Sequence, residues 1–233
     1  MSSSRLPGKV LMKCMGKPMI EHQINRIKKS KLINEIIIAT TTNKNDDILV
    51  DFCKSKKIKF FRGSELNVLD RVLKCAQNSS TDIIVETPGD CPLVDYRIVD
   101  KAIDLYLKHD FDYVCNNLIP SFPGSFDVQV FSTETLFKVS QLTNDPIDQE
   151  HVSLYIYRNQ DKFKCKNFIA NAKQYAPDLS FQLDTLSDYQ AISKIFESLY
   201  ENNNFFKCED VINLIKSNPS IKEINMNVKR KKV

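Results

Sequence analysis

Apolar residues along this 233-residue chain recur with two periods, and the periods alternate. From Pro18, the stretch PMIEHQINRIKKS puts Met19, Ile20, Ile24 and Ile27 on one face of a predicted helix that the proline opens. EIIIAT (residues 35–40) is short and β-branched, as expected of a strand covered on both faces. NDDILVDFCKSKK reads as a helix with acidic residues suited to its first turn. KFF (59–61) is a brief strand, and VLDRVLKCA is helical again. DIIVET (82–87) is a second buried strand, followed by the loop PGDCPLVD and the helix YRIVDKAIDLYLKH. Such alternation with short loops predicts an α/β fold, a mainly parallel sheet with helices on both faces.

The pattern changes after Asp112. DYVCNN and DVQVFS read as strands on either side of a loop containing Pro and Gly at 120–125. A helix is expected near 134–141, and QEHVSLYIYRN as another. KFKCKNFIA (162–170) is expected to be a strand running antiparallel, and SFQLDT a last short strand. LSDYQAISKIFESLY and the segment after the Asn run at 202–204 close the pattern as helices. We expect one domain over 1–233, with an antiparallel subregion at about 112–172. A basic tail at 225–233, ending in Lys229, Arg230, Lys231 and Lys232, is expected to be solvated.

Composition narrows the function classes. At 42% hydrophobic and 27% charged the chain is ordinary for a soluble globular protein. A net charge of +4 is too small to argue for a nucleic-acid surface. No apolar run approaches the roughly 20 residues of a membrane span, and the first residues have no apolar leader. Seven scattered cysteines without a CxxC pair fit reduced, buried thiols in a cytoplasmic protein rather than zinc ligands or a disulfide framework.

Ligands of open α/β sheets bind beyond the carboxyl ends of the strands. Asp90 follows DIIVET there, Asp184 ends SFQL, Asn116 and Asn117 end DYVC, and Arg5 and Lys9 lie in the opening loop SSSRLPGK. Two carboxylates and two cations at one edge suit a magnesium–triphosphate, with oxygen ligands for Mg²⁺ and Arg and Lys for the phosphates. Helix capping is the competing use for Asp90 and Asp184. The loop is not a Walker motif, because Ser3 stands where the first Gly belongs and Val10 follows the lysine. His22 and His109 read as surface or helix-end residues. His151 opens a predicted helix, with capping and substrate contact both open to it. No Ser/His/Asp or Cys/His constellation emerges.

SSSRLPGKVL followed by GKPMIEH resembles the signature of the CMP-sugar cytidylyltransferases, which include the sialic acid and Kdo enzymes. FRGSELNVLDRV, TPGDCPLVD, FDVQVFS, QEHVSLYIYRN, QLDTLSDY and INMNV resemble the spore-coat polysaccharide branch of that family, in order. The resemblance implies a Rossmann-like nucleotidyltransferase that uses CTP and Mg²⁺ to activate an acidic sugar. The sugar hydroxyl attacks the α-phosphorus and pyrophosphate leaves. It implies that Arg5 and Lys9 grip the triphosphate, with Ser2 and Ser4 lending contacts, and that Asp90 and Asp184 hold the metal. Asp70 and Arg71 would lie near the nucleoside, and Asn116, Asp127, Gln129 and His151 would face the sugar. A homodimer is implied as well. Two departures stand out. Pro88 precedes Gly89 where the sialate and Kdo enzymes often carry a polar residue. The family also places an apolar central strand ahead of the SSSR loop, and the chain is expected to begin one strand late. The rival expectations are a nucleotidyltransferase using another nucleotide, and an inactive relative serving as a binding module.

Overall fold

The structure is a computed structural model and describes residue 1 and residues 3–230. Ser2, Lys231 and Lys232 lie outside the described residues. After a 3-10 turn at Lys9–Leu11 come a hairpin of β1 (Lys13–Cys14) and β2 (Lys17–Pro18), then α1 (Met19–Ile27) and β3 (Ile37–Thr41). Next are α2 (Asp47–Ser55), β4 (Lys59–Gly63), α3 (Val68–Asn78), β5 (Ile83–Glu86) and α4 (Tyr96–Lys108). The second half holds β6 (Tyr113–Cys115), β7 (Gln129–Ser132), α5 (Thr133–Leu142), α6 (Pro146–Glu150), α7 (Leu154–Arg158) and β8 (Cys165–Asn167). It closes with α8 (Leu186–Leu199), α9 (Cys208–Ser217) and α10 (Ser220–Glu223).

The strands carry side chains to two apolar layers. Val114 and Val130 face a layer formed with α1, α4, α8 and α9, where Met19, Val99, Ile192, Phe196 and Ile212 are buried. Their neighbours Tyr113, Cys115 and Phe131 face the other way, against Leu69 and Leu73 of α3, Leu136 of α5 and Ile156 of α7. Successive strand residues point to opposite faces, so a strand buried on both must be apolar without alternation. That is why DIIVET reads as it does, whereas EIIIAT is covered less than expected, with Ile36, Ile37 and Ile38 all only partly buried.

Pairing is mixed. β3 and β4 run parallel, from Ile37 opposite Lys59 to Thr41 opposite Gly63. A four-stranded sheet has the order β5-β7-β6-β8, with β7 antiparallel to both β5 and β6. Among the described residues the two sheets share no ladder. β8 is shorter than 162–170 and runs parallel to β6, not antiparallel. The helices α5–α7 return the chain so that β8 enters beside Asp112, at the end where β6 starts.

Three further expectations are corrected. QEHVSLYIYRN is not one helix: it spans the end of α6 and all of α7, with a break at residues 151–153 where Val152 and Ser153 are buried. SFQLDT forms no strand. Phe181 and Leu183 are buried alternately as in a strand, but their amides donate to Gly124 and Asp90, both in loops. His22 is buried against Phe196, with ring centroids 4.3 Å apart, rather than at the surface. All seven cysteines are unpaired, and all but Cys165 are buried.

The tail is not solvated at Arg230. Thr185 caps α8, and Asp188 completes a reciprocal capping box with it. The fully buried Asp188 carboxylate also accepts from Asn225 Nδ2 at 2.9 Å and from Arg230 Nη2 at 2.6 Å. Burial alone would raise the Asp188 pKa, but the hydrogen bonds from Arg230, Asn225 and Thr185 outweigh it and hold the group below the usual carboxylate range. Asp188→Ala should therefore cost about 3 kcal/mol or more, since it strands a guanidinium and an amide. A urea midpoint unchanged from the parent chain would refute this role for Asp188.

Candidate active site

The opening loop is shaped by its own backbone. Gly8 adopts a left-handed conformation (φ 71°), and its amide donates to the Met1 carbonyl at 3.1 Å. The Lys9 amide donates to Leu6 O, and the Leu6 amide to Ser3 Oγ. This turn sends the Lys9 ammonium between two carboxylates, 3.1 Å from Asp90 Oδ2 and 3.0 Å from Asp184 Oδ1. Arg5 Nη2 stands 3.0 Å from the same Asp184 oxygen.

Neither aspartate caps a helix. Asp95 caps α4 and Thr185 caps α8, which leaves the Asp90 and Asp184 side chains to the cations. The loops that carry them are tied directly, because the Leu183 amide donates to the Asp90 carbonyl at 2.8 Å. A third carboxylate belongs to the cluster. Asp127 accepts from Gln182 Nε2 at 2.9 Å. Burial pushes its pKa up to about 6, the neighbouring charge of Asp90 adds to this, and the Gln182 bond opposes it. Opposite Lys9, Arg230 Nη1 lies 3.7 Å from Asp184 Oδ2. The polar edge thus sets Asp90, Asp127 and Asp184 against Arg5, Lys9 and Arg230.

Among the described residues no group of three or more His, Cys, Asp or Glu is arranged to hold a metal. The Asp90–Asp184 pair is a different donor set: two hard oxygens from distant loops converging on one cation position. This fits Mg²⁺, which binds one or two carboxylates and takes the rest of its shell from water and phosphate.

The other expected residues divide. Ser4 is exposed in the opening loop. Asp70 lies in the first turn of α3 and pairs with Lys74 at 2.9 Å. Arg71 is half-buried, donates from Nη1 to Ser64 O and lies flush on Gly63, where a Cβ would come within 2.8 Å of Arg71 Cγ. Two substrate-facing expectations need correction. Asn116 is buried, with Nδ2 donating to Phe126 O and Oδ1 accepting from the Val128 amide, so it braces the chain. Gln129 is buried as well, and its Oε1 accepts from the Tyr113 hydroxyl and from Ser153. His151 ends α6 instead of opening a helix. Gln23 donates from Nε2 to the carbonyl of Pro88 at 2.8 Å, so a backbone group is engaged at this departure from the family pattern.

Sequence reasoning missed Arg230 and Glu86. A basic tail gives no sign of which cation turns inward, though the TLSD capping box announced the anion that receives it. Glu86 is a charge ending an apolar strand, which is a readable signal. Among the described residues its Oε2 is buried without a partner, as are Arg71 Nε and Gln23 Oε1.

The chain matches the sequence profile described as Cytidylyltransferase over residues 1–215. It belongs to the cytidylyltransferase family. An uncharacterized protein of Methanocaldococcus jannaschii is 34% identical over 98% of this chain and 92% of its own length. The spore coat polysaccharide biosynthesis protein SpsF of Bacillus subtilis is 29% identical over 94% of this chain and 92% of its own. A cytidylyltransferase from Leptospira borgpetersenii superposes with a TM-score of 0.90 at 28% identity, covering 100% of this chain and 95% of that one. A CMP:2-keto-3-deoxy-manno-octonic acid synthetase complexed with CTP shares the fold, with a TM-score of 0.62 at 18% identity over 84% of this chain and 95% of that one. The cytidylyltransferase is thus a nucleotidyltransferase with the expected α/β fold.

Burial raises the Glu86 pKa from 4.5 to about 7, and Arg71 opposes the shift. A carboxyl that holds its proton more tightly folded than unfolded makes stability fall as pH climbs from 4.5 through about 7. Glu86→Gln should flatten that fall and leave the variant the more stable at alkaline pH, by on the order of 3 kcal/mol. Urea melts at about pH 5 and about pH 8 measure it. The same drop with pH in variant and parent would mean that Glu86 titrates normally.

Proposed function

We propose that this cytidylyltransferase couples CTP to an acidic sugar, forming a CMP-sugar and pyrophosphate for cell-surface polysaccharide synthesis. The observation that carries the reading is the Lys9 ammonium held between Asp90 and Asp184, with Arg5 beside them. That arrangement is a balanced set of ion pairs awaiting exchange. Phosphate oxygens would take over Arg5 and Lys9, and the released Asp90 and Asp184 carboxylates would be the residues to hold Mg²⁺. The relatives support the sugar class. One carries spore coat polysaccharide biosynthesis in its name, and a 3-deoxy-manno-octulosonate cytidylyltransferase of Geobacter metallireducens is 27% identical over 67% of this chain.

In this reading the sugar hydroxyl attacks the α-phosphorus in line, and pyrophosphate leaves from the opposite side. Arg5 and Lys9 bind the β- and γ-phosphates and neutralise the charge that grows on the leaving group. Asp90 and Asp184 would hold Mg²⁺, which would supply Lewis-acid polarisation of the transferred phosphoryl group. Arg230 positions Asp184 through the Asp188 anchor. Asp127 stands at the edge of the same cluster, where a sugar hydroxyl could be oriented. Catalysis is then chiefly positioning and electrostatics, with no covalent intermediate. The proposal includes a homodimer working in the cytoplasm. Among the described residues, no helix is long and apolar enough to cross a membrane.

A thermal-shift panel of CTP, UTP, dTTP, GTP and ATP with and without Mg²⁺ tests the nucleotide half. CTP at 100 times its dissociation constant should stabilise the chain by about 2.7 kcal/mol, and only with the metal present. Asp90→Asn should unfold like the parent yet release pyrophosphate about a hundredfold more slowly with CTP and a 3-deoxy-octulosonate or related acidic sugar. Selectivity for another nucleotide, or turnover undiminished in Asp90→Asn, would overturn the assignment.

A further inference from the structure

A cavity with a mixed polar and apolar wall lies between α1, the hairpin β1–β2 and the end of α8, and it shares no residue with the Asp90–Asp184 centre. Its volume is about 270 Å³, and its wall includes Lys17, Arg26, Lys28 and Lys29 with Asn25 and Tyr200, but no carboxylate. Among the described residues none of these four cations makes an ion pair. Lys17 donates to the Tyr200 hydroxyl at 3.0 Å, and the Lys29 ammonium sits 4.4 Å from the centre of the Phe205 ring.

Arg26 is the built part of the wall. It is 2% exposed, and its guanidinium lies over the Phe206 ring, 4.3 Å from the centre. Nε donates to Val94 O at 2.7 Å, and Nη2 donates to Leu93 O and Phe206 O. Nη1 has no partner. Burial lowers the Arg26 pKa to about 10, so the group stays charged at neutral pH. Carbonyls orient this cation, and the nearby charges of Asp95 and Asp210 partly offset its burial. Lys28 and Lys29 also complement the carboxyl end of α1. Lys17 reaches the cavity from the hairpin, away from that helix end.

We propose that this cavity is a second anion site, taking the phosphate group of a small molecule. Concave walls of convergent donors with no competing carboxylate favour a compact, doubly charged tetrahedral anion over a carboxylate or a neutral ligand. The cavity holds one phosphate or pyrophosphate with room for part of an ester. The site therefore belongs either to the free anions or to a nucleotide's phosphate.

The test is calorimetric titration of the full chain in EDTA with inorganic phosphate, pyrophosphate and CMP, which measures binding alone. The charge-reversed pair Lys28→Glu/Lys29→Glu should weaken the preferred anion at least about tenfold. Lys9→Ala, which alters the other centre, should leave that binding in place. Preference for phosphate or pyrophosphate over CMP assigns the free anion as the source, and the reverse assigns the nucleotide. Loss of all binding in Lys9→Ala, or no change in Lys28→Glu/Lys29→Glu, overturns the proposal. Equal weakening by Lys166→Glu/Lys173→Glu, two exposed lysines elsewhere on the surface, would also overturn it as general charge attraction.

Discussion

The ammonium of Lys9 is the contact on which the polar edge depends. It joins an aspartate 81 positions away to another 175 positions away. Two carboxylates converging on one point repel each other, and a single cation between them offsets that repulsion. Everything near it serves this placement. The left-handed turn at Gly8 aims the lysine, Asp95 and Thr185 relieve the two aspartates of capping, and Arg5 shares the load at Asp184.

Much of this was legible because burial on two faces leaves a plain mark. A strand such as IIVE between two apolar layers cannot alternate, so its helices and strands separate cleanly by period. Asp90, Asp184, Arg5 and Lys9 could be found because residues at the carboxyl ends of strands share an edge whatever their separation in sequence. Direction and engagement were harder to read. β8 reads as a strand from its residues, but its parallel course follows from where three short helices return the chain. Asn116 and Gln129 are polar residues in site-bearing segments. Only three dimensions reveal that Phe126, Val128, Tyr113 and Ser153 already occupy them.

Asp188 links the closing segment to the same edge. One carboxylate serves a helix start, an asparagine and an arginine, and that arginine reaches on toward Asp184. The tail therefore acts as part of the scaffold. Its basic composition alone would place it in solvent. Arg26 shows the same lesson inside the protein, since a cation on a helix face is ordinarily solvated and this one is held by carbonyls and an aromatic ring.

The hydrogen bond from the Leu183 amide to the Asp90 carbonyl joins main chain to main chain. The spacing of the two acidic loops is thereby set by peptide groups, which every residue type but proline supplies in full. Side chains in these loops, such as the buried Phe181 and Leu183, then serve packing and need not themselves measure out the gap between the acids. The frame that holds the two acids is in that sense main chain, and only what surrounds it is side chain.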